Sequence, residues 1–182
     1  LVNNVVPSVK GVVTHAKTIR EKIEGGKVIL LNSHSFDPWL NSITLPALSE
    51  VNKFMPISFL YERAALDVIG FYDEDLPVIG DWDFNLRFLM KFDVKIIKKE
   101  LANYHIREHT KTDSYNNTVT SGKNLHDFYR SVVINKYLRS DFNNGSPGLG
   151  HLLMHGDYAY RHGSGIWRIN QAIDSAKKSR FF

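Results

Sequence analysis

Hydrophobic and polar positions alternate along the chain in a way that predicts both strands and helices. Residues 27–31 form an apolar run after a Gly-Gly turn and predict a short buried strand, and the polar and aromatic residues 32–39 predict a surface loop. Residues 57–60 predict a second strand. A short helix is predicted over residues 62–69, because Gly70 follows it and glycine suits a left-handed C-terminal cap.

The clearest helical pattern lies in the middle of the chain. Trp82, Leu86, Leu89 and Phe92 recur at the spacing of one helix face, which predicts a helix over residues 82–92. The later pattern predicts strands over residues 94–97 and 101–106, a polar loop to residue 117, a helix over 125–138, a Gly/Pro turn over 145–150 and a basic C-terminal helix over 165–182.

Composition limits the class of protein. The 182 residues are 43% hydrophobic, which suffices for one core and predicts one domain of α/β or α+β class. The absence of cysteine excludes disulfides and thiolate metal sites and favours a cytoplasmic location. No apolar run approaches the roughly 18 residues of a membrane span. Residues 1–10 contain no initiator methionine and no signal pattern, so we expect a piece of a longer protein.

Charge adds little to this picture. The 23 Lys and Arg residues exceed the 19 Asp and Glu residues by four, an excess that suits phosphate-bearing substrates, an anionic membrane surface or nucleic acid. The chain has none of the basic aromatic motifs of nucleic-acid binding, so we expect no nucleic acid partner. The basic segment 165–182 joins an apolar stripe to several cations, which leaves peripheral contact with the inner face of a membrane open beside simple packing on the domain.

The candidate chemistry lies between residues 69 and 87. A glycine turn is followed by a carboxylate-rich loop and by a helix whose first turn begins at Asp81. An Asp at this place accepts backbone N–H bonds, and the helix dipole favours its ionised form. A carboxylate held there can also accept a proton from a sugar hydroxyl within about 2.6–3.2 Å. The residues alone leave both interpretations open, and the capping role is the commoner one.

The same stretch resembles the family-2 glycosyltransferases of GT-A type. It shows that family's order of a glycine, an aromatic, an Asp-Glu pair, a short hydrophobic loop and an Asp-Trp-Asp leading into a helix with Leu and Arg, here Gly70, Phe71, Asp73-Glu74, Asp81-Trp82-Asp83, Leu86 and Arg87. The resemblance implies that Asp81 is the catalytic base. The family often has Glu immediately before this Asp, whereas this chain has Gly80.

Two flanking segments extend the resemblance over residues 52–110, about a third of the chain. Asn52 with residues 54–63 looks like the family's upstream strand and helix start, and residues 101–110 look like its Tyr, Arg and His segment. Acceptor-binding roles are implied for Asn52, Trp82, Asp83 and Arg87. Arg107 is implied to bind diphosphate, because guanidinium pairs with phosphate bidentately. His109, with His105 as the alternative, is implied to bind a divalent metal, Mn or Mg, since imidazole can ligate Mn²⁺.

The resemblance implies an α/β fold that is the C-terminal half of a GT-A (nucleotide-diphospho-sugar transferase) domain, with a mixed sheet flanked by helices. No Asp-x-Asp motif precedes Asn52, so the nucleotide-binding half is expected to be missing and the isolated fragment to be inactive. The implied activity is that of a hexosyltransferase of polysaccharide biosynthesis, which moves a sugar with inversion from a nucleotide-diphosphate sugar to a saccharide or lipid-linked acceptor. The alternative is a non-catalytic carbohydrate- or partner-binding domain of glycosyltransferase-like shape. A homo-oligomer that covers exposed sheet edges is also open.

A second group of histidines lies near the end of the chain. His151 and His155 are four residues apart, with Asp157 and His162 nearby, a spacing that can place two imidazoles on one helix face. We expect the flanking glycines to limit any helix there to about one turn. A polar loop or an acceptor-facing lid is therefore favoured over a metal site.

Overall fold

The fold is built on a long central strand. The computed structural model describes residues 8–107 and 123–163. Strand β1 (Val9–Glu24) pairs antiparallel with β2 (Lys27–Phe36) over its second half and antiparallel with β3 (Phe59–Tyr61) near its start. Its other edge pairs in parallel with β4 (Asp93–Arg107). The result is a mixed four-stranded sheet, which confirms the predicted mixed α/β architecture at that level.

Five α-helices flank the sheet in the described residues. They are α1 (Leu45–Glu50), α2 (Ala65–Ile69), α3 (Gly80–Leu89), α4 (Lys123–Asn144) and α5 (Leu149–His162), with a 3-10 turn at Pro56–Ser58. Helix α1 begins after Thr44, whose hydroxyl oxygen accepts the Ala47 N–H at 3.3 Å. Both α1 and α4 pack against α5. None of the described helices is both long enough and apolar enough to cross a membrane.

Aromatic rings form the centre of the core, where α3 meets the sheet. Phe84 and Phe88 of α3 are fully buried, and the Phe88 ring lies 5.1 Å from that of Phe59 in an edge-to-face arrangement. Gly11 of β1 lies beneath these rings. A Cβ at this position would come within 2.7 Å of the Phe59 ring and 3.1 Å of the Phe88 ring. The close approach of helix and sheet therefore requires glycine here.

The first predicted strand is wrong in its extent and its burial. β2 continues to Phe36, through residues predicted as a loop, and its apolar residues are exposed, with Val28 at 62% and Leu30 at 63%. The reason is that this part of β2 pairs with the far end of β1. The sequence pattern also gave no strand for residues 9–24, which form the centre of the sheet.

Other boundaries differ in smaller ways. The helix predicted over 62–69 begins at Ala65, and the one predicted over 82–92 spans Gly80–Leu89. The strands predicted over 94–97 and 101–106 are one strand, β4, in which the β1 partner shifts between Ile97 and Glu100. The helix predicted over 125–138 is longer, as α4. The predicted helix over 165–182 lies outside the described residues.

The prediction of a single helical turn around His151 is wrong. Helix α5 spans fourteen residues and contains both Gly150 and Gly156. A Cβ on Gly150 would overlap the backbone of Leu138, and one on Gly156 would come within 2.5 Å of Ser49. These glycines therefore permit close packing of α5 on α4 and α1, which outweighs their low helix propensity.

Candidate functional site

A cavity of about 470 Å³ lies between one face of the sheet and the helices. Pairing across the sheet places His34, Thr18 and Tyr104 in one row, and residues paired in this way share a face. Apolar side chains form most of the wall, with a few polar groups among them, as is usual for ligand sites. The apolar members include Phe36, Val51, Phe54, Met55, Ile79, Trp82 and Ile106, and the polar ones include Arg20, Asn52, Asp81, His126, Asp127 and Arg130.

A strained backbone position introduces the helix that carries Asp81. Ile79 precedes α3 with φ 57° and ψ 11°, a left-handed conformation that is rare for a β-branched residue. Its carbonyl oxygen accepts the N–H groups of Trp82 at 3.0 Å and Asp83 at 3.1 Å. Such strain costs on the order of 1–3 kcal/mol and tends to occur at functional sites. Here it starts the helix at the cavity wall, with Asp81 in the first turn.

Asp81 is held at the cavity by two hydrogen bonds. Its Oδ2 accepts from the Asn52 side-chain amide at 2.9 Å, and its Oδ1 accepts from the Trp82 backbone N–H at 2.9 Å. Burial raises the pKa of Asp81 above the ordinary value of 3.8, although both hydrogen bonds and the nearby His126 oppose the rise. The carboxylate is therefore oriented, reachable from the cavity and more basic than an exposed Asp.

Arg130 of α4 organises the aromatic part of the wall. Its guanidinium lies between the rings of Trp82 and Tyr160, at 4.6 and 4.3 Å from their centroids. Its Nε donates to Asp157 at 2.8 Å, and its Nη2 donates to the Glu50 carbonyl oxygen at 2.9 Å. Trp82 is buried, and its Nε1 donates to the Leu48 carbonyl oxygen at 2.7 Å. One face of the Trp82 indole is thus covered by Arg130.

Sequence reasoning missed Arg130 and Tyr160 as site residues. Arg130 precedes the buried residues Val133 and Ile134 by three and four positions, so it lies on the buried face of α4. An arginine on an apolar helix face therefore indicates a buried cation that pairs with other groups, and this pattern could have identified Arg130. The partners themselves are far away in sequence and could not be identified from it.

Asp83 and Arg87 do not line the cavity, although the resemblance implied acceptor contact for both. Asp83 is fully buried and accepts from Arg87 Nε at 2.8 Å and from the Tyr137 hydroxyl at 2.9 Å. Arg87 also donates to the backbone carbonyl oxygens of Phe71, at 2.8 Å, and Ile69. The pair therefore anchors α4 and the loop before α3, on the side of α3 away from Asp81.

His105 and Arg107 lie on the other face of the sheet. They alternate along β4 with Tyr104 and Ile106, which line the cavity. His105 Nδ1 is 2.9 Å from Glu21 Oε2, and Arg107 Nε donates to Glu21 Oε1 at 2.9 Å. The hydrogen bond from His105 is the main cause that lowers the pKa of the buried Glu21. Arg107, predicted to bind diphosphate, and His105, the alternative metal ligand, therefore do not line the cavity that contains Asp81.

No described residues offer a metal site. Within residues 8–107 and 123–163, no group of three or more His, Cys, Asp or Glu side chains is placed to hold a metal ion. His109, the preferred ligand, lies outside the described residues. His151 pairs instead with Asp141, its Nδ1 lying 2.9 Å from Oδ2, and the same oxygen accepts the Gly148 N–H. That carboxylate fixes the turn between α4 and α5.

The site thus brings together three of the residues singled out from the sequence, Asn52, Asp81 and Trp82, with a sheet face and an arginine that the sequence did not indicate. Local chain order explains why Asp81 and Trp82 are adjacent at the helix start. Only the packing of the segment after α1 against α3 adds Asn52.

No family model matches the chain, and neither a curated protein nor a solved structure matches it significantly.

Proposed function

We propose that this chain supplies the acceptor site and the catalytic base of an inverting glycosyltransferase that uses a nucleotide-diphosphate sugar. The observation that carries the proposal is Asp81, a carboxylate of raised pKa held by two hydrogen bonds in the wall of a 470 Å³ cavity. General bases work best when the pKa lies closer to the working pH than that of a free carboxylate. Burial of Asp81 moves its pKa in that direction.

In the proposed reaction an acceptor hydroxyl enters the cavity and donates its hydrogen bond to Asp81. As the hydroxyl oxygen attacks the anomeric carbon, Asp81 takes the proton and the bond from that carbon to the diphosphate oxygen breaks. One displacement inverts the anomeric centre. The Asn52 amide and the Trp82 N–H hold the carboxylate in place while this happens.

The cavity wall suits a ring that has both apolar and polar edges. Phe36 and Tyr104 offer apolar contact for the C–H face of a sugar. Asn52 and His126 offer hydrogen-bonding groups beside Asp81. A saccharide acceptor therefore fits this wall better than a small ion does.

The donor is not assigned to the described residues. They present no ligand set for a divalent metal, and Arg107 and His105 are paired with Glu21 on the other face of the sheet. In our proposal the nucleotide-diphosphate sugar and its metal, Mn or Mg, are bound by a donor half that joins this chain. No step above depends on a metal.

The test compares Asp81→Asn with Asp75→Asn in the complete protein that contains this chain, using release of nucleoside diphosphate and product analysis. Asp75 is an exposed acid of the loop before α3 and serves as the matched control. Loss of a general base is expected to lower turnover by about 10²–10⁴-fold. The control should keep wild-type turnover, and donor affinity should be unchanged in both variants.

Turnover retained by Asp81→Asn would refute the role of Asp81. A second measurement separates the alternative, in which the domain binds carbohydrate without catalysis. Saccharide binding to the 182-residue chain is followed by NMR shifts of the cavity residues. Binding in the cavity without transfer by the complete protein would favour the binding domain, and absence of both would refute the acceptor site.

A further inference from the structure

A chain of two hydrogen bonds leads from the interior of α3 to Asp81. Asn85 lies one helical turn after Asp81, so both side chains are on the same face of α3. Its Nδ2 donates to Asn52 Oδ1 at 3.1 Å, and Asn52 Nδ2 donates in turn to Asp81 Oδ2 at 2.9 Å. Asn85 is only 1% exposed, whereas Asn52 and Asp81 line the cavity. The buried amide of Asn85 therefore lies outside the cavity lining and contacts the site through Asn52.

The amide of Asn52 has two ends of opposite hydrogen-bonding character. Its NH₂ end donates to an ionised carboxylate, and its oxygen end can only accept. If the amide were reversed, its oxygen would face Asp81 and would favour the protonated acid. The donor on Asn85 opposes this reversal, because the Asn52 oxygen would then leave it without a partner.

We propose that Asn85 is a positioning residue that fixes the Asn52 amide with its NH₂ end toward Asp81, and so keeps the base ionised and aligned. The inference rests on the proposed role of Asp81, and it identifies what controls that base. Asn85 has no contact with the cavity itself and acts through Asn52 alone.

Other charged or titratable groups surround Asp81 and have to be held constant in any test. Helix α4 contributes three of them, the sheet three and α5 one, and the loop before α3 contributes a tyrosine whose pKa is raised mainly by burial and also by Asp81 itself. They are His126, Asp127, Arg130, Arg20, His34, Tyr104, Tyr160 and Tyr72.

The first experiment uses the unmodified chain. The pKa of Asp81 is measured by carboxyl ¹³C NMR, assigned with Asp81→Asn, while the side-chain amide signals of Asn52 and Asn85 are followed over the same pH range. The Asn52 NH₂ signals should titrate with the pKa of Asp81, because that group donates to its carboxylate. Asn52 signals that ignore the ionisation of Asp81 would overturn the proposal.

The second experiment removes the donor with Asn85→Leu, which has nearly the same shape. We expect Asp81 to become about a tenfold weaker acid, the effect of losing roughly one hydrogen bond to a charged group. In an Asn52→Ala background the same change should leave the pKa of Asp81 unaltered, because the hydrogen bonds that link Asn85 to Asp81 are then already absent. Equal effects in both backgrounds, or none in either, would show a merely structural role.

The readout separates this proposal from the proposed function. The pKa measurements need neither donor nor acceptor, so they test the positioning of Asp81 whatever reaction it performs. If Asp81→Asn keeps full transfer activity, the proposed function is refuted, but the positioning of Asp81 by Asn85 through Asn52 can still be correct. If Asn85→Leu does not fold, the titration in the unmodified chain still tests the proposal, because Asn52 amide signals that do not follow the ionisation of Asp81 would overturn it.

Discussion

Replacing Arg130 with methionine tests how the cavity wall is held together. Arg130 is 7% exposed, and its guanidinium joins three helices, since it contacts Trp82 of α3, the end of α1 and Asp157 of α5. Methionine fills a similar volume without any donor. The substitution therefore removes hydrogen bonds and stacking while keeping most of the apolar contact.

The expected cost follows from the groups left behind. The carbonyl oxygens of Ser49 and Glu50 lose donors at 3.3 and 2.9 Å, at about 1–3 kcal/mol for each oxygen that stays buried and unpaired. Asp157 keeps Arg161, whose Nε lies 2.6 Å away, so its carboxylate is not left alone. The full penalty of about 3–5 kcal/mol for breaking a buried ion pair therefore does not apply. We expect a loss of about 3 kcal/mol in the free energy of unfolding.

Urea denaturation followed by tryptophan fluorescence measures this loss, with Arg161→Met as the matched control. Arg161 pairs with the same carboxylate but its side chain is 48% exposed, so its removal should cost no more than about 1 kcal/mol. A loss below about 1 kcal/mol for Arg130→Met, or equal losses for the two variants, would refute the reasoning.

The pH dependence gives an independent check on Arg130. Burial alone would raise the pKa of Asp157, but the hydrogen bonds from Arg130 and Arg161 lower it on balance. A carboxyl whose pKa is lowered by folding stabilises the folded state at pH values above its unfolded pKa, 3.8. This stabilisation is lost as the pH falls through the folded pKa. The difference between wild type and Arg130→Met should therefore shrink in acid.

Three further predictions concern other positions. Asp81→Asn should raise the stability at pH 7 by about 1 kcal/mol, because burial of the ionised carboxylate is unfavourable and raises its folded pKa. The gain should vanish in acid, below the unfolded pKa, where the carboxyl is protonated in both states; thermal unfolding over a range of pH checks the sign. Gly150→Ala should cost about 1–3 kcal/mol because its Cβ overlaps Leu138, measured by urea denaturation; unchanged stability would contradict the close packing. Tyr137→Phe should cost about 1.5–3 kcal/mol, since its hydroxyl donates to the buried carboxylate of Asp83, and hydrogen exchange in α3 should rise with it.

The sequence alone determined the features that depend on neighbouring residues. The apolar spacing from Trp82 onward predicts α3 because one face of a helix must be buried wherever the helix lies. The position of Asp81 at the start of that helix follows for the same reason. Its candidacy as a base rests further on the resemblance of residues 52–110 to glycosyltransferases, and it stays a prediction.

Tertiary structure alone decided which distant residues meet. The row of His34, Thr18 and Tyr104 depends on strand register, and β1 itself was missed because its alternation of buried and exposed residues is broken by shifts in pairing. The exposure of the apolar residues of β2 could likewise not be predicted from the sequence, since an apolar run does not specify which elements will pack against it or where it will lie in the sheet. The roles of Asn52 and Asn85 depend on contacts between residues that are 29 and 33 positions apart, and side-chain hydrogen bonds of that kind leave no periodic signal in a sequence.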